Sequence, residues 1–168
     1  QISSSACLFT VVKAKILSKA ISFIGNIVLK IFSKETYISN STFRFEEIKD
    51  RRNDFDYFWK NFNNKCSDKI MTCRDSNYLC WKFLNTPNKD RKLHILKDRN
   101  LICGFVALEN TADIGYIVDI LADTKETLEQ LIAYSIKYFR KQKTKSVVFK
   151  ALENNMYFKD FEKFGFVK

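Results

Sequence analysis

From residue 7 to residue 32 the apolar positions Val12, Ile16, Ala20, Ile24, Ile27 and Ile31 return every three or four residues, with lysines at 13, 15, 19 and 30 among them. This is the period of an amphipathic helix. Its longest uncharged run, residues 20–29, holds ten residues, whereas a bilayer span needs roughly twenty. The segment is expected to pack against a neighbouring domain or to lie on a membrane surface, without crossing it. Residues 35–42 are polar and read as a connector, so residues 1–42 form an N-terminal helical arm with its link.

Further on, residues 43–45 predict a short strand and residues 55–62 a helix whose aromatic face is Phe55, Phe58, Trp59 and Phe62, with Asp54 available as its cap. Residues 70–72 predict another short strand. Asp75 opens a helical turn through Tyr78, Leu79, Trp81 and Phe83 that Pro87 ends. Strands at 93–96 and 101–108 bracket a four-residue turn at 97–100, a hairpin signal. Gly104 inside the second strand predicts a bulge or a close backbone approach. A third strand follows at 113–121. The clearest helix covers residues 125–141, with Leu128, Leu131, Ile132, Ser135 and Phe139 on one face, Asp123 and Thr124 as caps, and lysines toward its C-terminal end. A strand at 146–152 and a helix at 154–164 complete the series. A strand–helix–strand crossover makes its two strands parallel. The chain is thus expected to be α/β (α+β): a mixed sheet combining an antiparallel hairpin with a β-α-β unit, preceded by the helical arm.

Composition narrows this picture. Apolar residues are 46% of the 168, and 4 Gly and 1 Pro leave no room for a collagen-like or linker-rich class. The net charge of +10 comes from lysines dispersed among 19 acids, which reads as a solvated basic surface and not as a specific nucleic-acid groove. Five cysteines (7, 66, 73, 80, 103) and one histidine, His94, lack the spacing of a zinc site or a disulfide framework. Free thiols in a reducing, cytoplasmic compartment are expected. The chain opens on Gln1 without a signal-peptide cleavage pattern and reads as a piece of a longer protein.

Three segments carry a family resemblance: residues 154–166, N-N-M-Y-F-K-D-F-E-K-F-G-F, an Asn before a helix that ends in Gly-Phe; residues 102–108, I-C-G-F-V-A-L; and residues 75–87, D-S-N-Y-L-C-W-K-F-L-N-T-P. With the order of elements, residues 43–168 resemble the GNAT superfamily of acyl-CoA N-acyltransferases. The third segment is similar to one in a divergent subgroup, linked to polysaccharide and cell-envelope loci, that often carries two GNAT-like halves. The resemblance implies an acyl-CoA cosubstrate, acetyl-CoA or another, lying where two parallel strands splay apart, here residues 116–121 and 147–151. It implies donor contacts from Ile120, Leu121, Ala122, Thr124, Lys125 and Asn154, and no metal. In relatives a glycine-rich turn holds the pyrophosphate through backbone N–H groups at a helix start, where glycine permits close approach. Residues 122–128 read A-D-T-K-E-T-L, without glycine and with Asp123, Glu126 and Glu129 nearby. Relatives also carry a tyrosine four residues before the last glycine to protonate the leaving thiolate; here that position is Phe161, and Tyr157 lies one helical turn earlier. Relatives continue from the position of residues 166–168 into a closing strand pair, so the resemblance implies that part of the sheet is missing from this piece or is supplied by another copy.

The reaction so implied moves an acyl group to an amine, an amino sugar or a peptide, and needs a group to receive the ammonium proton. Asp119, a lone carboxylate in an apolar run, is the leading candidate, with solvent exposure or pairing with a lysine as the structural alternative; Glu109 is a weaker one. With Tyr157 as proton donor, Asp119 and Tyr157 are the catalytic candidates. His94 alternates with Leu93 and Ile95 and reads as structural, and Cys103 as a buried thiol. Tyr78, Trp81 and Lys82 could make a stacking platform, although their spacing suits a core face. The alternative function is a non-catalytic GNAT-like half that binds or scaffolds, its partner a preceding GNAT-like half or another protomer met through the arm. A third reading, peptidyl transfer from aminoacyl-tRNA as in FemAB-like proteins, would use the positive charge, but the basic residues are not clustered.

Overall fold

The computed structural model describes residues 34–38, 42–67, 71–86, 91–151 and 155–167. The predicted arm helix at 7–32 lies outside these residues. Five strands form one sheet in sequential order: β1 (Phe43–Ile48), β2 (Arg91–Asp98), β3 (Leu101–Thr111), β4 (Ile114–Ala122) and β5 (Ser146–Phe149). Neighbours are antiparallel except β4 and β5, which are parallel. They are joined by the long helix α4 (Lys125–Lys141), as a crossover connection requires. The mixed sheet with its β-α-β unit is the architecture that the pattern predicted.

Alternation along the strands divides the core between the two faces. On one side Val106, Leu108, Ile117 and Ile120 pack against Leu128, Leu131, Ile132 and Phe139 of α4 and against Phe161 of the short helix α5 (Phe158–Glu162). On the other, Leu93, Ile95, Phe105, Ala107 and Leu121 meet Phe55, Phe58 and Phe62 of α2 (Asp54–Lys65) and Leu79 of α3 (Ser76–Leu79). Each of these side chains is almost wholly withdrawn from water. At about 1.5–3 kcal/mol per buried aliphatic or Phe side chain, the two apolar layers are the main hold on the sheet.

Two bulges set the detail. Leu96 pairs with Gly104 but Lys97 with Ile102, leaving Cys103 as the extra residue. Gly104 also meets the second expectation made for it, close approach: a Cβ there would stand 2.6 Å from the Leu121 carbonyl oxygen and 2.9 Å from Leu131 Cδ1. The second bulge lies between Ala107, paired with Asp119, and Leu108, paired with Ile117, so Val118 is the extra residue.

Several expectations are corrected. Residues 34–37 form a helical turn, α1 (Lys34–Tyr37), where a connector was expected; two ion pairs fasten it to α4, Lys34–Glu129 at 2.6 Å and Arg140–Glu35 at 2.5 Å. Asp54 begins α2 but does not cap it, because its carboxylate pairs with Arg52 at 2.7 Å. Met71 and Thr72, expected in a strand, lie outside the sheet. The β2–β3 turn is only Arg99 and Asn100, with Arg99 at φ 56, and α5 spans five residues. The turn after Asp75 does form, with the Asp75 carboxylate accepting from the Tyr78 N–H at 2.8 Å, and it continues as a π-helical turn, Cys80–Leu84.

Candidate functional site

The parallel pair β4–β5 is short. Its register runs from Ile114 with Ser146 to Ile117 with Phe149 and stops there, while β4 continues to Ala122 paired with β3 only. Beyond Ile117 the strands diverge around a cleft of about 840 Å³. Its walls are residues 118–121 of β4, Phe149 at the end of β5 with residues 150 and 151 after it, residues 155–157 before α5, and Arg74, Tyr78 and Lys82 from the α3 side. The two predicted catalytic side chains, Asp119 and Tyr157, both line it.

Asp119 reaches the cleft because of the bulge. In unbroken alternation it would share a face with Ile117 and point toward α4. The extra residue at Val118 reverses the parity, so Ile120 and Ala122 return to the α4 face while Asp119 meets groups from the α3 side. Its carboxylate, 8% exposed, lies 3.3 Å from Arg74 Nε and 3.4 Å from Lys82 Nζ, and accepts from the Ile120 N–H at 3.0 Å. Arg74 also donates from Nη1 to the Thr72 carbonyl at 3.2 Å. Lys82 donates to the Tyr78 hydroxyl at 2.5 Å and lies 4.9 Å over its ring. Pairing with a lysine is the structural alternative given for Asp119, and Lys82 supplies it; the sequence does not indicate Arg74, since nothing local connects it to Asp119.

Tyr157 stands before α5 with its ring buried among the α4-face core. Its hydroxyl lies 3.4 Å from both the amide nitrogen and the carbonyl oxygen of Ala122. Burial pushes the phenol above its usual range, opposed by the Ala122 backbone contact, so it keeps its proton near neutrality and is available as a donor. Phe161, four residues before Gly165, stacks on Phe149 at 4.1 Å, with interplanar angle 9°, as core.

The start of α4 is closed on itself. The Thr124 hydroxyl accepts from the Thr127 N–H at 3.1 Å, and the Thr127 hydroxyl donates to Asp123 at 2.8 Å. The Asp123 N–H is bonded to the Cys103 carbonyl at 3.0 Å. With a carboxylate and two hydroxyls already on the helix end, this turn does not fit a pyrophosphate. Along one wall of the cleft runs the stretch of β4 that is paired with β3 but has no β5 partner. Ile120 and Leu121 line that cleft; Ala122 is engaged by Tyr157; Thr124 and Lys125 belong to the closed turn. Asn154 lies outside the described residues.

The remaining candidates lie elsewhere. Glu109 pairs with Arg91 at 2.6 Å. His94 is buried against α4, Nδ1 3.0 Å from the Tyr134 hydroxyl, and burial lowers its pKa. Burial also raises the Cys103 thiol, leaving it a poor nucleophile. Cys66, Cys73, Cys80 and Cys103 are free thiols. Trp81 departs from the core reading, being 71% exposed, while Tyr78 is half-buried. Among the described residues no group of histidine, cysteine and acidic side chains is arranged to hold a metal, and no helix is long and apolar enough to cross a membrane.

These features define a GNAT-like fold, and solved structures share it. An aminoglycoside acetyltransferase from an uncultured soil metagenomic sample, in complex with sisomicin, matches with TM-score 0.51 and 19% identity over 73% of this chain and 86% of its own. AAC(6')-Iy, in complex with the bisubstrate analogue CoA-S-monomethyl-acetylneamine, matches with TM-score 0.52 and 10% identity over 76% and 92%. The ribosomal-protein-alanine N-acetyltransferase of Brucella melitensis biovar Abortus 2308 matches with TM-score 0.51 and 11% identity over 73% and 89%. At these identities the likeness is one of fold. No family model matches the sequence, and no curated protein matches it significantly.

Proposed function

We propose that this domain is an N-acyltransferase that takes an acyl group from a thioester donor of the acyl-CoA type and passes it to an amine in the β4–β5 cleft. The observation that carries this reading is the divergence of the two parallel strands after Ile117 and Phe149, with Asp119 and Tyr157 facing the same cleft from opposite sides. The amine nitrogen attacks the thioester carbonyl, the C–N bond forms and the C–S bond breaks. The ammonium proton passes to Asp119, the one carboxylate among the described residues that line the cleft. The departing thiolate takes its proton from the Tyr157 hydroxyl. No step runs through the donor's pyrophosphate, since the turn at Thr124 does not fit it. Solved structures of the same fold, acetyltransferases with an aminoglycoside or a CoA bisubstrate analogue bound, support the reaction class.

The test is a melt with and without acetyl-CoA, followed by release of free thiol when an amine is added. A donor at one hundred times its dissociation constant stabilises by about 2.7 kcal/mol, a rise of several degrees at this size. Absence of both a shift and thiol release at millimolar donor removes the proposal.

Two observations favour the second reading, a GNAT-like half that binds or scaffolds beside another half or protomer. The Asp123–Thr127–Thr124 network occupies the anion position of α4, and Tyr157 closes on Ala122. Under this reading, loss of the Tyr157 hydroxyl leaves partner binding intact and there is no turnover to lose.

A further inference from the structure

The charge of the cleft narrows the acceptor. Among the described residues, Arg74, Lys82 and Lys150 line it against one carboxylate, Asp119, a net of +2 from these four groups. The Asp119 carboxylate is shared between Arg74 and Lys82 at 3.3 and 3.4 Å, both long for a charge-assisted contact. Lys150 stands at the rim, its Nζ 5.4 Å over the Tyr116 ring. Tyr78, bonded to Lys82, is the aromatic wall beside them. Arg74 and Lys82 come from the α3 side of the sheet, opposite to α4, so they are not placed to serve a donor phosphate at the start of that helix. They face what enters the cleft from the α3 side.

Resting on the acyltransferase reading, we infer that the acceptor is a small amine that also carries an anionic group, a carboxylate or a phosphate. The anion binds Arg74 and Lys82 with Lys150 at the rim, and the ammonium lies toward Asp119. A polycationic acceptor brings several like charges against this surplus and is disfavoured.

Amine binding is read by chemical-shift titration of the labelled protein, independently of any donor. Two pairs serve as probes, glutamate against glutamine α-amide for the carboxylate and phosphoethanolamine against ethanolamine for the phosphate, with spermidine as polycation. The anionic member of at least one pair binds about tenfold tighter or more, and the pair with the larger ratio identifies the anionic group. Arg74→Gln with Lys82→Met brings that ratio within about twofold. If the double variant does not fold, Lys82→Met alone, with Arg74 kept on Asp119, lowers the ratio about threefold. Equal binding within both pairs, tighter binding of spermidine, or no binding of any probe overturns the inference. Failure of the acyltransferase reading shows separately, as no thiol release, and leaves these ratios readable.

Discussion

The Tyr157 hydroxyl lies 3.4 Å from both the backbone nitrogen and the carbonyl oxygen of Ala122, so a phenol from the approach to α5 touches the free end of β4 where β5 has already turned away. Contacts of that length are weak. Tyr157→Phe is therefore expected to cost about 1 kcal/mol or less in a urea melt. Acyl transfer, read as thiol release, falls by roughly 100-fold or more if the hydroxyl is the proton donor. Equal losses in stability and turnover would mean that the ring only packs.

Asp119 is the counter-ion of Arg74 and Lys82, whose side chains are 21% and 31% exposed. Asp119→Asn keeps the shape but leaves the two cations facing each other, with an expected loss of about 1–3 kcal/mol in chemical denaturation. Lys82→Met in the same background should recover part of it, since one of the opposed charges is then gone. A double variant as unstable as the sum of the singles would show that the three groups do not act together.

Gly104 and Gly165 separate two reasons for glycine. A Cβ on Gly104 meets a backbone oxygen at 2.6 Å, whereas one on Gly165 meets nothing within 4 Å and is opposed only by its φ of +85°. Gly104→Ala should cost about 3 kcal/mol through overpacking that cannot relax, and Gly165→Ala about 1–2 kcal/mol. Thermal melts of the two variants give the order.

The one histidine is buried and its pKa lies below the ordinary 6.5. The folded state holds His94 neutral while the unfolded chain can protonate it. The stability it supports is complete above pH 6.5 and is lost as pH falls toward the lowered folded value. The melting temperature should therefore drop between pH 7 and pH 5, and His94→Gln should flatten that slope. The Glu46 carboxylate, lowered chiefly by its hydrogen bond to Lys97, loses its contribution only as pH falls through and below its ordinary 4.5. An unchanged slope in the variant would assign the acid sensitivity to other groups.

Much of the scaffold was legible locally. The 3.6-residue period and the cap at Thr124 predict α4, and its observed bounds, Lys125–Lys141, are those expected. The crossover rule predicts that β4 and β5 run parallel, and Gly104 signals a bulge or a close approach, of which the structure has both, the bulge at the adjacent Cys103. Asp119 stood out as a charge in an apolar run. Which way it points was not legible, because the bulge at Val118 depends on how β3 pairs with β4, and no pattern within residues 116–121 encodes that register. Arg74 and Lys82 lie 45 and 37 residues from it in the chain. The helical turn at Lys34–Tyr37 escaped for the same reason, since its hold comes from Glu129 and Arg140 on α4.

The amino-acid order by itself determined most of the elements and their sequence, because periodicity and capping act over a few neighbouring positions. The tertiary structure decided which face Asp119 takes, which cations share it and what occupies the start of α4. Those outcomes depend on strand register and on contacts across the sheet, where groups far apart in the chain compete for the same few ångströms.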